Sequence, residues 1–293
     1  MHIEALKTFC DLVETRSFTK AAQINKITQS AVSQQISSME GQFHGLLIER
    51  SKKQFRLTRE GEVLYEYSKQ ILRTYEGLES QLGQLKDIVS GTIRVAVIYV
   101  FGLHDLPPFL RTYLQQHPKV NVHIEYRHAR EIYADVLSNV VDLGVVAYPE
   151  ASPTLTVVPL WKDKLSVICH PQHPLAKLKT VELKNLAGEK FVSFQDGVPI
   201  RQAVDKILRE RKIRVEHVME LDNIETLKRA VEIEAGISIV PQTTVAQEVA
   251  AKTLVRLDIK DGVFEWPLGL IYRKDRVLTQ AMREFINILK AGR

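Results

Sequence analysis

The residues best suited to chemistry in this sequence are uncharged amides and hydroxyls close to the N-terminus. Four of them recur at spacings that place them on one face of a helix: Gln29, Ser30, Ser33 and Gln34. Such groups donate and accept hydrogen bonds, which suits them to the base edges in the major groove of DNA. A solvated helix face usually carries lysine and glutamate instead. The pattern therefore favours a surface that reads DNA bases, with an ordinary helical surface as the alternative.

Basic side chains concentrate in the same part of the chain. Residues 16–59 hold eight basic and two acidic residues, whereas the whole chain of 293 residues has a net charge of only +5. Ile48 and residues 55–57 predict a short hairpin, and Arg50, Lys52 and Lys53 lie at or beside its tip. A basic wing of this kind would contact phosphates or a minor groove. A solvated run of charge is the alternative, although residues 50–59 contain no acidic side chain.

Three helices must position these side chains. Apolar residues at helical spacing predict a first helix over residues 2–15. Ser17 and Thr19 are polar caps for a short second helix that begins at Thr19 or Lys20. Thr28 caps a third helix over residues 30–42. Two short helices joined by a tight turn, with the polar face on the second, match helix-turn-helix geometry.

A long helix over residues 59–88 is predicted to connect this module to the rest of the chain. Four apolar residues stand at a strict seven-residue spacing: Leu64, Ile71, Leu78 and Leu85. This repeat favours pairing with a second helix in a coiled coil, and packing on its own domain is the alternative. Ser90 and Gly91 then predict a break that acts as a hinge.

The remaining residues, 91–293, alternate between predicted strands and helices, which indicates an α/β architecture with a parallel sheet. Ligands of such domains bind at the carboxyl ends of strands and at helix N-termini. Three segments fit that position: residues 99–104, 128–130 and 195–201. Gly197 allows close approach of the backbone, and the N–H groups that follow it at residues 198–201 suit an anion.

Short stretches of this sequence resemble LysR-type transcriptional regulators. SFTKAA at 17–22, TQSAVSQQI at 28–36 and Leu57-Thr58 with Gly61 resemble the family's winged helix-turn-helix, and VDLGV at 141–145, HPQHPLA at 170–176 and DNIETLK at 222–228 with Gly236-Ile237 resemble its effector domain. The resemblance implies an α+β multidomain protein whose two-lobed domain is similar to type 2 periplasmic binding proteins. It assigns a DNA-binding domain to 1–58, a linker and dimerisation helix to 59–90, and an effector-binding domain to 91–293, with lobe one at 92–160 and 266–293 and lobe two at 161–265.

The resemblance also implies which side chains meet DNA. They are Thr28, Gln29, Ser30, Ser33, Gln34, Arg50, Lys52 and Lys53. Two of these positions depart from many family members, which carry arginine there. Gln34 would prefer adenine to guanine, and Lys53 offers a point charge rather than a planar fork.

The implied effector site is unusual in its first loop, where many relatives carry serine or threonine. Its candidate residues are Tyr99, Val100, Phe101, His128, Arg130, Gln195, Gly197, Val198 and Arg201. An aromatic, apolar wall facing basic groups suits a small organic acid or a ring-bearing metabolite. A surface ion pair is the alternative role for Arg130.

Together these features predict a cytoplasmic transcriptional regulator whose DNA affinity responds to a small effector between two lobes. The expected partners are double-stranded DNA, the effector, a second copy through the linker helix, and RNA polymerase; the sequence does not separate dimer from tetramer. No enzyme signature, cofactor, metal site or membrane span is expected, since the His170–His173 stretch fits a turn and Cys10 and Cys169 fit buried thiols. The runner-up is a solute-binding or enzymatic two-lobed domain.

Overall fold

A computed structural model describes residues 2–49, 55–84 and 89–292 of the chain. It divides the chain into two compact units, Met1–Asp87 and Ile88–Arg293, each with its own apolar core. Among the described residues, no helix is long and apolar enough to cross a membrane.

The N-terminal unit is helical. Its helices are α1 (Ile3–Thr15), α2 (Phe18–Asn25), α3 (Gln29–Phe43) and α4 (Arg59–Gln84). They enclose a small core of side chains that are almost fully buried: Phe9, Leu12, Ala21, Ala22, Val32, Ile36, Met39, Leu47 and Ile48. The first three helices match the predicted ones to within one or two residues. Helix α2 begins at Phe18 rather than Thr19, because Ser17 is the residue that caps it.

The second unit alternates strands and helices. Its first part contains β1 (Gly91–Val97), α5 (Tyr99–His104), α6 (Leu106–Gln116), β2 (Val120–Tyr126), α7 (Ala129–Leu137), β3 (Leu143–Ala147) and β4 (Leu155–Cys169). The chain continues through β5 (Thr180–Val181), β6 (Lys190–Phe194), α8 (Pro199–Glu210), β7 (Glu216–Leu221), α9 (Ile224–Glu232), β8 (Ser238–Pro241), α10 (Ala246–Ala251), β9 (Val255–Ile259), β10 (Glu265–Arg273) and α11 (Gln280–Lys290). Short 3-10 turns lie at Pro174–Lys177, Leu183–Leu186 and Gln242–Val245.

The sheets are mixed, so the prediction of a parallel sheet is wrong for part of the domain. Strands β1, β2 and β3 are parallel to one another, but β10 runs antiparallel to both β3 and β4. The order of the main sheet is β2-β1-β3-β10-β4-β9-β5, with β8 also on β4, while β6 and β7 form a separate parallel pair. Strand β10 lies near the end of the sequence but pairs with β3 and β4, so it returns the chain to the first part of the sheet. The alternation of strands and helices along the sequence does not predict this antiparallel return.

Strand β4 links the two lobes of this domain. Its residues up to Lys164 pair with β10, whereas Leu165 and the residues after it pair with β8 and β9. We therefore use "first lobe" for β1, β2, β3, β10 and the start of β4 with their helices, and "second lobe" for the end of β4 with β5–β9 and their helices. The connection between the lobes runs through Lys162 and Asp163, near Glu265 and Trp266.

Candidate functional site

The predicted DNA-contacting side chains of helix α3 share an exposed surface. Thr28 caps the helix, since its hydroxyl accepts a hydrogen bond from the backbone N–H of Ala31 at 3.1 Å. Three apolar side chains bury the opposite side: Val32, Ile36 and Met39. The exposed side chains are Gln29, Ser30, Ser33 and Gln34, which we call the reading face. It offers hydrogen-bond donors and acceptors without a charged group.

Helices α1 and α2 fix the reading face in position. The Nδ2 atom of Asn25, at the end of α2, donates to Oδ2 of Asp11 on α1 at 2.7 Å. Ala21 is fully buried, and its small side chain lets the neighbouring helices approach closely. The turn into α3 passes through Lys26, whose φ of 54° is left-handed. The result is a compact helix-turn-helix in which α3 presents its polar side outward.

The base of the predicted wing is present. Ile48 and Leu57 form an antiparallel bridge, and the N–H of Glu49 donates to the carbonyl of Arg56 at 2.9 Å. The three predicted phosphate contacts at or beside its tip, Arg50, Lys52 and Lys53, lie outside the described residues. Their role therefore stays a prediction from the sequence.

Helix α4 carries an apolar stripe beyond the N-terminal core. Thr58 caps the helix by accepting from the N–H of Gly61 at 3.0 Å, and Leu64 packs against the core. Farther along, the apolar side chains are 41–54% exposed: Ile71, Tyr75, Leu78 and Leu82. Leu85, the last residue of the predicted repeat, lies outside the described residues. An exposed apolar stripe at this spacing is typical of a coiled-coil seam.

Aromatic rings gather at the carboxyl ends of β1 and β2. Tyr99 is 42% exposed, and its ring centroid is 5.5 Å from that of Tyr126 and 6.3 Å from that of His128. Tyr99 stands in the first turn of α5, although the sequence predicts a loop or strand end there. Tyr126 is a residue that the sequence analysis missed. Its position at the end of β2, parallel to β1 and in register with Val97, is the signal that would have found it.

Phe101 does not line the cleft between the lobes, which corrects the predicted site. Its side chain is fully buried, and its ring lies 5.8 Å from that of Trp161 in the core. Val100 is also partly buried against this core. Because Tyr99–His104 is helical, Tyr99 and Phe101 point to nearly opposite sides, whereas residues two apart in a strand would share a face. Tyr99 alone of the three predicted wall residues is therefore exposed.

The second lobe contributes less to an anion site than the sequence predicts. Arg201 is only 12% exposed, and its guanidinium donates to Asp205, to the carbonyl of Phe194 and to Glu220 at 2.7–2.9 Å. The N–H groups of Val198 and Arg201 donate to the carbonyls of Gln195 and Val198. Pro199 has no N–H to offer. Gln195 and Gly197 remain exposed at this edge.

Arg130 is the predicted basic residue with freedom to meet a ligand. It is exposed in the first turn of α7, and no hydrogen bond or ion pair joins it to another part of the chain that the structure describes. A Cβ atom added at Gly197 would lie 4.0 Å from Nη2 of Arg130, so the guanidinium of the first lobe reaches the loop of the second. Gly197 has a φ of +85°, which favours glycine at that position. We use "cleft group" for Tyr99, Tyr126, His128, Arg130 and Gly197.

The two thiols are unsuited to redox chemistry. Cys10 and Cys169 are both buried. Burial raises the pKa of Cys10 to about 12 and that of Cys169 to about 11. Each thiol therefore stays protonated and unreactive near neutral pH. His170 and His173 accept backbone hydrogen bonds within a turn, from Gln172 and Leu175.

Each of the two units matches a known protein family. Residues 3–62 match the bacterial regulatory helix-turn-helix protein of the lysR family, and residues 86–293 match the LysR substrate binding domain. The probable RuBisCO transcriptional regulator of Cyanidioschyzon merolae is 30% identical over 289 residues, covering 97% of this chain and 95% of its own.

Two solved structures have the same fold. A full-length OxyR variant from Pseudomonas aeruginosa has a TM-score of 0.76 at 19% identity, covering 99% of this chain and 94% of its own. The regulatory domain of CcmR from Synechocystis, solved in complex with 2-PG, has a TM-score of 0.64 at 26% identity, covering 69% of this chain and 97% of its own. The similar proteins are regulators rather than enzymes, and LysR regulators bind DNA and small-molecule effectors and oligomerise. This chain belongs to the LysR family: it is a DNA-binding transcriptional regulator with an effector-binding domain.

Proposed function

We propose that the reading face of α3 enters the major groove and makes the base contacts of this regulator. The observation that carries the proposal is the exposed, uncharged row of amides and hydroxyls opposite a fully buried side of the helix. Thr28 and the basic side chains Arg50, Lys52 and Lys53 hold the adjoining phosphates. All four side chains are exposed in the part of the N-terminal unit that the structure describes, so they are accessible to DNA there.

A gel-shift assay with the DNA upstream of the protein's own gene tests the assignment. Gln29→Ala and Ser33→Ala should each weaken binding about fivefold or more, because a specific base contact contributes ~1–3 kcal/mol. Gln42→Ala is the matched control, since Gln42 is an exposed amide at the far end of the same helix. Wild-type affinity in both reading-face variants would refute the assigned surface.

We infer that the effector is a small anion, such as an organic acid, and that the cleft group contacts it together with Gln195. Arg130 supplies the positive charge, and the rings of Tyr99, Tyr126 and His128 supply a flat apolar surface. Val100, Phe101, Val198 and Arg201 support the cleft from behind rather than touching the ligand. The 2-PG complex of the similar CcmR domain supports an anionic ligand for this fold.

The exposed stripe on α4 supports a homodimer formed by the linker helices. Two copies would bring two reading faces to one operator, as two-fold half-sites require. We further propose that two such dimers form a homotetramer and that the regulator contacts RNA polymerase. The regulator is expected to act in the cytoplasm, where its DNA partner is accessible.

A further inference from the structure

One side-chain contact joins the two lobes away from the cleft group. His104, the last residue of α5 in the first lobe, places its Nε2 atom 2.9 Å from Oε1 of Glu225. Glu225 belongs to the first turn of α9 in the second lobe, where Asn223 caps the helix. The imidazole side chain is only 16% exposed. This contact therefore links an element of one lobe directly to an element of the other.

Glu225 is held in position by a buried charge cluster. The Nζ atom of Lys228 lies 2.9 Å from the same Oε1 atom, 2.8 Å from Oε1 of Glu248 and 3.0 Å from the carbonyl of Thr244. Lys228 is 2% exposed and Glu248 is 6% exposed. A buried charge is costly unless it is paired, so each member of the cluster restrains the others. The carboxylate that meets His104 is thus fixed within the second lobe.

Helix α5 connects this contact to the cleft group. Tyr99 begins the helix and His104 ends it. Between them, Phe101 is fully buried, and Gly102 lies so close to the Tyr126 ring that a Cβ atom would overlap it. A short helix packed this tightly moves as one piece rather than by bending. Displacement of His104 would therefore displace Tyr99.

We propose that His104 is a positioning residue that sets the width of the cleft by tying helix α5 to Glu225 of the second lobe. The hydrogen bond between His104 and Glu225, which we call the tie, joins the lobes whether or not a ligand is bound. Its consequence for ligand binding rests on the proposed function, because it acts through Tyr99 of the cleft group.

The surroundings of His104 make the tie sensitive to pH. Burial lowers the pKa of His104 below 6.5, and the Lys228 ammonium on α9 lowers it further. Two carboxylates act in the opposite direction, Glu225 on α9 and Glu248 on α10, but they do not outweigh the first two effects. At neutral pH the imidazole is therefore uncharged and donates its Nε2 proton to Glu225.

Acid should weaken the tie. When the lobes separate, the His104 ring enters water and its pKa rises toward the ordinary value of 6.5. The separated form then binds a proton more tightly than the joined form does. Linkage requires that lowering the pH through this range favours separation, whereas the joined form is favoured above it.

The experiment measures the distance between the lobes in the full-length protein by pulsed electron spin resonance. Spin labels are attached at Gln115→Cys on α6 and Lys206→Cys on α8, two exposed positions, while the buried Cys10 and Cys169 resist labelling. An excess of unlabelled protein suppresses distances between subunits. His104→Leu removes the donor, and His104→Gln keeps an N–H at a similar reach without a titratable ring.

At pH 7.5 we expect the leucine variant to lengthen or broaden the distance distribution, whereas the glutamine variant should match the wild type. Between pH 7.5 and pH 5.5 the wild-type distribution should shift in the same direction, and the glutamine variant should not. Identical distributions for the wild type and the leucine variant at both pH values would overturn the proposal. If the leucine variant does not fold, an unchanged wild-type distribution at pH 5.5 overturns it equally.

Titration of the same proteins with 2-PG separates this proposal from the effector assignment. If the distance between the lobes changes in the leucine variant and its affinity for 2-PG falls at least threefold, the tie and the effector assignment are both supported. Distances that respond while affinity is equal in all variants support the tie and contradict its action through Tyr99. Distances that do not respond overturn the tie, whatever 2-PG does.

Discussion

Arg130 and Arg201 are both guanidinium groups near the proposed effector cleft, but their surroundings give them different roles. The guanidinium of Arg201 donates hydrogen bonds to Asp205, to Glu220 and to a backbone carbonyl, so it holds the second lobe together. Arg130 is exposed and lies close to Gly197 of the opposite lobe. A charge-assisted hydrogen bond to an anion contributes about 1.5–3 kcal/mol. The residue able to supply that contribution to a ligand is Arg130.

Arg130→Gln should weaken the binding of a small acid by about tenfold or more, because the substitution removes the charge and keeps a hydrogen-bonding side chain. Isothermal titration with 2-PG and a panel of other small organic acids measures the change. Arg127→Gln is the matched control, since Arg127 is nearby and exposed but already pairs with Glu125. Equal affinity in the Arg130 variant and the wild type would refute this role. Absence of binding by every acid tried would refute the anionic effector.

The presence and approximate bounds of helices with a clear apolar periodicity can be predicted from the sequence. Helix α3 spans Gln29–Phe43 where residues 30–42 were expected, because Thr28 marks its start and Val32, Ile36 and Met39 mark its buried side. Helix α1 likewise spans Ile3–Thr15 where residues 2–15 were expected. In both elements the local signal and the tertiary environment agree, so one sequence pattern is enough.

Other elements depend on contacts that no local pattern contains. Strand β4 begins at Leu155 and continues through Pro159, because these first residues pair with β10. Helix α5 forms at residues 99–104, which were predicted as the loop after the first strand. Four of the five residues of the cleft group were predicted, because Tyr99, His128, Arg130 and Gly197 follow strand ends. Tyr126 required knowledge of the register between β1 and β2.

Helix α4 is the element on which the proposed homodimer depends. Leu78 is 51% exposed within the apolar stripe. Leu78→Lys should raise the dimer dissociation constant at least tenfold, because a coiled-coil seam would have to bury an unpaired charge. Sedimentation velocity over a range of protein concentrations measures it. Glu66→Lys introduces the same residue on the opposite side of the helix and should leave the assembly unchanged. An unaltered sedimentation profile for the Leu78 variant would exclude α4 as the interface.

At the scale of the whole molecule, the distribution of charge matters more than its total. The net charge is +5 and the isoelectric point is near 9.0, which by themselves only permit an anionic partner. Residues 16–59 carry a surplus of six positive charges beside an uncharged reading face. We therefore propose that affinity and specificity come from different side chains of one small unit, with the basic residues binding phosphates and the amides reading bases.

The effector-binding domain acts on this unit only through a change in binding free energy. If the effector alters the affinity for DNA by some factor, DNA must alter the affinity for the effector by the same factor. On our proposal, the lobes separate when the contact between His104 and Glu225 breaks, and a ligand or a proton can favour the joined or the separated form. In the proposed homodimer the exposed stripe of α4 binds a second copy, so a change in one effector domain would affect a pair of reading faces.

The salt dependence of DNA binding tests this division of roles. The logarithm of the binding constant should fall linearly with the logarithm of the salt concentration, with a slope of about −0.9 for each phosphate neutralised. Lys52→Gln should make the slope less negative by about 1 while preserving the preference among operator sequences, because a phosphate contact carries no base information. Gln29→Ala should do the reverse, lowering the preference and leaving the slope unchanged. Lys206→Gln, an exposed charge of the effector domain, is the control and should alter neither. A slope that is insensitive to Lys52 would mean that the wing does not bind the backbone.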